Sequence, residues 1–537
     1  MRNFILILIF IHALFLFPFL KPGIPLSHDG AGHVARMGAY YKALKDGQVP
    51  PRWAGDLNFR YGTPVFIFNY NLPYFAGTLF YMLGLNLEDS FKLMLGMAFI
   101  LSGVGFFLWA LQIVNRNAAF IGALLFGLSP YHFLNVFVRG ALGEIIGLAI
   151  VPFIFWQIER MIKENKLSNI FLAGILYGFL ILSHNGSAVI FSPVFLLYFI
   201  FRTKRKFQLV SLFTFFTIGF LISAYFWLPA ILESKYVQGV SAIGEMYKQH
   251  FPPFSYLLYS NWDFGPDVNA TNGLSPQVGI ILFVFVFVAT LKFFKHRDNT
   301  LGFWLVIFAV SIFLTTSLSN VIWSNIIFLK ILEFPWRFTA LSSLTAAIIA
   351  SLIINSMKNQ KIVYLVIITL LLTSFLFTKT NVQNKKDDAY YYSYTGSTVY
   401  RGATSTIWSG VPFEIPGNRV EIISGNGQIS NLFIKSNLHS FRVTADSDVR
   451  ILDNTFYFRG WRVKIDGQKA PIEFQDINHR GLITFYVPQG EHRVEVIFEE
   501  SPIRFVSNVI SLIAIVGILL LFVCFYYFCN VIDFFFR

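Results

Sequence analysis

The chain has 537 residues, of which 55% are hydrophobic, 18% aromatic and 13% charged. Water-soluble domains carry about a quarter charged residues, so that class is excluded. The net charge of +13 does not point to nucleic acid, because most Lys and Arg stand in short clusters between apolar runs, where they report membrane orientation.

Apolar runs of about 18 to 24 residues, enough to cross a hydrocarbon core, predict an α-helical polytopic membrane protein with about twelve transmembrane helices. The first run, Asn3 to Leu20, follows Arg2 and ends in Phe17-Pro18-Phe19-Leu20-Lys21-Pro22. No small-residue cleavage site follows, so a retained anchor is expected. Residues 21–91 open polar, and 64–84 are apolar but interrupted by Asn69, Asn71 and Pro73; that stretch is expected to lie along the interface or re-enter. Further spans are expected near 92–114, 117–136, 142–161, 167–183, 186–202, 208–230, 276–293, 301–318, 338–356, 361–378 and 504–528. The only cysteines, Cys524 and Cys529, share the last run, which leaves no disulfide framework or thiolate metal site.

With the N-terminus inside, Arg116, Lys163, Lys166, Arg202 to Lys206, Lys292 to Arg297, Lys358, Lys361 and Arg537 all fall in the cytoplasm. The opposite loops include Ser183-His184-Asn185-Gly186, without Lys or Arg, and 231–275, with only Lys235 and Lys248. Both termini are therefore expected to be cytoplasmic. Residues 379–503 change character: 462–465, 482–487 and 492–498 alternate, with turn signals at Asp466-Gly467 and Pro488-Gln489-Gly490. They predict an extracytoplasmic antiparallel β domain, a sandwich, so the expected domains are 1–378, 379–503 and 504–537.

Four polar clusters fall on the outer side. In Ser27-His28-Asp29-Gly30-Ala31-Gly32-His33-Val34-Ala35-Arg36, a helix starting near Asp29 puts Asp29, His33 and Arg36 on one face. Asp29 then reads as a general base or metal ligand tuned by His28, His33 and Arg36, or equally as a plain helix cap. In the second cluster, Asn135 with Arg139 and Glu144, a carboxylate just inside a span needs water, substrate, a cation or a structural partner. The third is Ser183-His184-Asn185-Gly186, which a turn explains apart from His184. The fourth, Glu333-Phe334-Pro335-Trp336-Arg337-Phe338, offers a guanidinium that either snorkels to headgroups or holds a lipid-linked phosphate.

Asp29-Gly30 through His33 and Arg36, Val49-Pro50-Pro51-Arg52-Trp53 before Tyr61-Gly62-Thr63-Pro64, Arg139-Gly140-Ala141 with Glu144, Ser183-His184-Asn185, and Phe334-Pro335-Trp336-Arg337-Phe338 together carry a resemblance. In order and placement the chain resembles the GT-C superfamily of integral membrane glycosyltransferases. It is more closely similar to the bacterial membrane family labelled 6-pyruvoyl-tetrahydropterin synthase-related and to YfhO-like proteins, whose ending resembles Phe458-Arg459-Gly460-Trp461-Arg462-Val463 with Asp466-Gly467 and Gly490-Glu491-His492. No motif here is as diagnostic as a P-loop, and the His-rich zinc triad of the soluble pterin enzyme is not visible.

The resemblance implies inverting transfer of a sugar from a polyprenyl-phosphate donor in the membrane lipid to a glycan, lipid or protein acceptor of the cell envelope. It implies catalytic roles for Asp29, His33 and Glu144, donor-phosphate contacts from Arg337, Arg139 and Arg52, and substrate contacts from His28, Arg36, His184, Asn185 and Trp336. Any divalent cation would meet Asp29. The chain departs from the pattern in having a single Asp29 where several related enzymes carry paired acids. A lipid-linked glycan flippase and a non-catalytic envelope-assembly scaffold are the competing classes.

Overall fold

The computed structural model describes residues 1–535 apart from 165, 204–207, 240–243, 271, 397–401, 411 and 413. Lys204, Arg205, Lys206 and Arg537, counted among the cytoplasmic cations, lie outside the described residues, as do the side chains of Cys524 and Cys529. In chain order come α1 (Arg2–Leu14), α2 (Gly30–Lys45), α3 (Val65–Phe68), α4 (Leu72–Met82), α5 (Leu87–Ala110), α6 (Arg116–Gly127), α7 (Pro130–Phe133), α8 (Leu142–Glu164), α9 (Leu167–Ser183), α10 (Asn185–Arg202), α11 (Gln208–Ile222) and α12 (Ala224–Leu232). The principal later helices are Ile280–His296, Asn299–Thr315, Thr339–Asn355 and Gln360–Ser374, and Pro502–Phe535 follows the β domain. Side-chain caps fix several starts: Asn86 accepts from the Asp89 N–H, Asn115 from Ala118, and Asp298 from Thr300 and Leu301.

Among the described residues, six helices are long and apolar enough to cross a membrane, or nine if each of three bent pairs is one span; α1 and α9 are shorter apolar helices. Straight spans at 208–230 and 301–318 do not form. The first bends by 74° between Ile222 and Ala224, the second by 84° between Thr315 and Ser317. Hydroxyls at both breaks bond back to the helix, Ser223 to the Gly219 carbonyl and Thr316 to that of Phe313, which competes with regular helix continuation. The interrupted stretch 64–84 becomes α3 and α4. With 11 residues, α4 is about 16 Å long, too short to span.

Eight strands form the β domain: β1 (Val420–Ser424), β2 (Gly427–Lys435), β3 (Leu438–Ala445), β4 (Val449–Phe456), β5 (Trp461–Ile465), β6 (Gln468–Ala470), β7 (Leu482–Val487) and β8 (Gly490–Phe498). They pair antiparallel in two sheets, ordered β1-β4-β7 and β2-β3-β8-β5-β6. The three stretches of alternating sequence lie in β5, β7 and β8. Phe441, Val443, Val494 and Val496 of one sheet meet Ile451, Ile483 and Phe485 of the other in one core. At Asp466-Gly467 both residues have positive φ, 49° and 83°, as a two-residue hairpin turn demands.

Trp53, from the loop after α2, joins that core with its ring edge-on to Trp461 at 5.5 Å. Next to it, buried Arg52 bonds to Glu500 (3.2 Å), the Tyr225 carbonyl (2.9 Å) and Asn508 Oδ1 (2.7 Å). Arg504 and Glu233, both buried, pair at 3.1 Å. These contacts lock the β domain to α12 and the final helix. The segment before β1 packs on the bundle side: Val382 bridges Pro25, and the Tyr391 hydroxyl donates to Glu88 at 2.7 Å.

Candidate active site

From α7 the chain enters a π-helical turn, Leu134–Arg139, which ends at Gly140 in the left-handed region, φ 62°. π turns are rare and widen a helix by one residue, re-aiming the side chains they carry. The chain leading into α2 docks on this turn by main-chain bonds: His28 N–H donates to the Val138 carbonyl (3.0 Å) and Asp29 N–H to that of Arg139 (2.9 Å). The approach is close enough that a Cβ on Gly140 would lie 3.1 Å from the Gly30 nitrogen, and one on Gly143 2.4 Å from the Tyr70 ring.

Arg139, Glu144 and Arg337 come together beneath. One Arg139 amino group donates to Glu144 (2.6 Å) and to Asn135 (2.5 Å), and its guanidinium lies 4.6 Å from the Trp336 ring centre. Tyr131 donates its hydroxyl to the other Glu144 oxygen. Arg337 Nε stands 3.7 Å from Glu144, while its amino groups reach Glu333 (3.2 Å) and the Leu332 carbonyl (2.6 Å). A buried carboxylate is tolerable only with such partners. Among the described residues, Arg337 Nε and Trp336 Nε1 are buried donors without a hydrogen-bond acceptor. Glu333 has φ 65°; burial raises the pKa of its carboxyl, the Asp29 charge adds to the rise, and Arg337 opposes it.

Asp29 is the N-cap residue of α2, yet its carboxylate caps nothing. It is exposed, and among the described residues no hydrogen bond or ion pair engages it. Its charge is felt by Tyr70, Tyr74 and Glu333. The expected α2 face forms, but His33 and Arg36 turn to Tyr74, at 3.1 Å and 2.6 Å, instead of to Asp29. Burial, with Arg36 and Arg139 nearby, holds the His33 imidazole neutral, its pKa well below the usual value.

His184 is the N-cap of α10, its Nδ1 accepting from the Ser187 N–H at 2.9 Å. Burial lowers its pKa to about 3, with Arg337 and Arg139 acting in the same sense. Asn185 closes on its own backbone through the Gly186 N–H, and His28 Nε2 meets the Phe264 carbonyl at 2.8 Å. Arg52 is not part of this group; it donates to Glu500, to the Tyr225 carbonyl of α12 and to Asn508 of the final helix. Asp29, His33, Arg36, Arg139, Glu144, His184, Trp336 and Arg337 gather at one end of the bundle. Tyr70, Tyr74, Tyr131 and Glu333 belong with them and were not singled out as site residues from sequence. The signal for the first two was the polar interruption Asn69-Tyr70-Asn71-Leu72-Pro73-Tyr74 in an apolar stretch. No three His, Cys, Asp or Glu among the described residues are grouped to hold a metal ion.

The family model described as the 6-pyruvoyl-tetrahydropterin synthase related domain, a membrane protein, matches residues 68–383. The chain belongs to that family. The matched stretch includes Tyr70, Arg139, Glu144, His184 and Arg337 and excludes Asp29 and the β domain. Residues 1–67, which carry α1 and α2, precede the matched stretch. An uncharacterized protein of Lactococcus lactis subsp. cremoris (strain MG1363) is 25% identical over 245 residues, 43% of this chain; the chain spans 40% of that protein's length. Among solved structures, arabinofuranosyltransferase AftD from Mycobacteria aligns at 14% identity and a TM-score of 0.47, over 70% of this chain and 26% of its own. The oligosaccharyltransferase AglB from Archaeoglobus fulgidus, solved with an inhibitory peptide and a dolichol-phosphate, aligns at 13% and 0.46, over 77% and 62%.

Proposed function

We propose that the protein is a membrane glycosyltransferase that moves a sugar from a polyprenyl-phosphate donor to an extracytoplasmic acceptor. Asp29 carries this reading: it is an exposed carboxylate with no hydrogen-bond or ion-pair partner among the described residues, fixed by its backbone to the residue whose guanidinium anchors the buried cluster. In the reaction an acceptor hydroxyl attacks the anomeric carbon and Asp29 takes its proton. The bond from that carbon to the phosphate oxygen breaks, and the electron pair leaves with the polyprenyl phosphate. The N–H groups of Arg337 Nε and Trp336 Nε1, which lack a hydrogen-bond acceptor among the described residues, suit the charge developing on that phosphate. Arg139 is spent on Glu144 and Asn135, so its role is to hold the cluster in shape. Clustering of Arg116, Lys163, Lys166 and Arg202 at the opposite helix ends supports an extracytoplasmic site.

The bends at Ser223 and Thr316 favour a second reading, because broken helices line the sites of many transporters. One experiment separates the two. Purified protein in nanodiscs is given a radiolabelled polyprenyl-phosphate sugar and membrane acceptors, and both glycosidic product and lipid scrambling are measured. Enzymatic transfer that falls at least about 100-fold in Asp29→Asn, with an unchanged melting temperature, is the expected result. Scrambling without glycosidic product in the wild type sinks the transferase.

A further inference from the structure

A cleft of about 1070 Å³ opens at the end of α2 remote from Asp29, where the last turn of α2, Tyr81 of α4, the helix Asp388–Tyr392 and the β domain meet. Over its 16 residues, α2 rises about 24 Å, so this cleft is separate from the Asp29 site. Its volume is at the top of the range for ligand pockets, roughly 300 to 1,000 Å³, room for several linked rings.

The lining combines two chemistries. Tyr41, Tyr81 and Tyr392 supply half-buried rings, with Tyr41 and Tyr81 edge to face at 4.9 Å and the Tyr392 hydroxyl donating to that of Tyr81 at 3.4 Å. Four basic residues, Lys42, Lys45, Arg60 and Arg419, face two acids, Asp46 and Asp56. Both acids are engaged: Asp56 pairs with Lys42 at 2.5 Å, and Asp46 accepts the Ser436 N–H at 2.7 Å. Lys45 and Arg60 are exposed, and among the described residues no hydrogen bond or ion pair engages their side chains. The cleft therefore carries uncompensated positive charge.

Arg60 is also held in place. Asn58, Phe59 and Arg60 are three successive non-glycine residues at left-handed φ, 58°, 58° and 68°. Such backbone persists only where its surroundings over-determine it, commonly at ligand clamps. Here Arg419, from the β domain, donates to the Arg60 carbonyl and to that of Asn454, clamping the turn against the sandwich.

We propose that this cleft binds an acidic glycan, a chain of sugar rings bearing carboxylate or phosphate groups, with its rings against Tyr81 and Tyr392 and its charges on Lys45 and Arg60. Aromatic faces match the C–H faces of sugars, and two exposed cations lining the cleft, unengaged among the described residues, select acidic over neutral chains. The site is independent of chemistry at Asp29.

The test is calorimetric titration of the full-length protein, in nanodiscs of uncharged phosphatidylcholine, with tetragalacturonate and with neutral maltotetraose. The wild type is expected to bind tetragalacturonate, less tightly as salt rises, and to bind maltotetraose far more weakly. The double variant Lys45→Glu with Arg60→Glu is expected to lose at least about tenfold in affinity, or 1.4 kcal/mol. Both side chains are exposed, so its melting temperature stays at the wild-type value, while Tyr81→Ala weakens binding and Asp29→Asn leaves it intact. Equal affinity for the two sugars, undiminished binding by the double variant, or no binding by the wild type overturns the proposal.

Discussion

Two acids of the site differ in what their charge does. Asp29 has nothing to lose on substitution but its proton chemistry, whereas Glu144 is the anion that makes two buried guanidinium groups tolerable. Arg139→Met leaves Glu144 short of its closest cation and is expected to cost about 3 to 5 kcal/mol, read as a lower melting temperature in detergent. Combining it with Glu144→Leu is expected to recover much of that loss, because Glu144 is no longer stranded and Arg337 keeps Glu333 as its counter-charge. In the β domain, His492 Nδ1 and Asp466 stand 2.6 Å apart; the hydrogen bond raises the His492 pKa and lowers that of Asp466. The histidine's contribution to stability is complete below its unfolded pKa of about 6.5 and is lost as pH rises through the raised folded value. The aspartate's is complete above about 3.9 and is lost as pH falls through the lowered folded value. An NMR titration is expected to place the His492 midpoint above about 6.5 and to return it there in Asp466→Asn.

At the scale of elements, Gly140 is where the chain leading into α2 leaves no room for a side chain. Gly140→Ala adds a Cβ at a positive φ, against the Gly30 nitrogen and Ser27. The expected cost is about 1 to 3 kcal/mol, together with a drop in transfer, since α2 must back away from Arg139. The same scale shows what a sequence can disclose. Strands β5, β7 and β8 were legible because alternation and turn residues are local signals, and so was the failure of 64–84 to span, from Asn69, Asn71 and Pro73. The bends at Ser223 and Thr316 were not, since hydroxyls inside apolar runs bond to the helix or stay regular depending on what packs beside them. Arg139 and Glu144 could be named as candidates but not paired: five residues apart, they meet only because the π turn rotates one toward the other. Arg52 stood in a stretch that resembled a site motif, and only the packing of Glu500, α12 and the final helix around it revealed where its guanidinium is used.

For the whole molecule, the β sandwich meets the rest of the chain through buried charges and through an apolar contact in which Trp53 and Ile67 join the sandwich core. Arg504→Met strands Glu233 in that junction. Hydrogen exchange is expected to show α12 and the start of Pro502–Phe535 losing protection together, while β3 and β8 stay protected. If the strands exchange as fast as α12, the sandwich does not stand on its own core. The cleft at the far end of α2 depends on this junction as well, because Arg419 and Ile434 reach it only while the sandwich stays docked.

The π turn has a consequence for the spacing of the chain. It holds one residue more than an α-helix would place in the same length, so residues 134–138 can lose one without shortening the helix. A single-residue deletion there, normally ruinous in a packed helix, is expected to leave α7 and the turn after it folded as one regular α-helix. What it would re-aim are the side chains within the turn, Asn135 among them, whose Oδ1 accepts from the same Arg139 amino group that meets Glu144. The protein would keep its architecture and lose the alignment between a backbone that carries Asp29 and the charges below it.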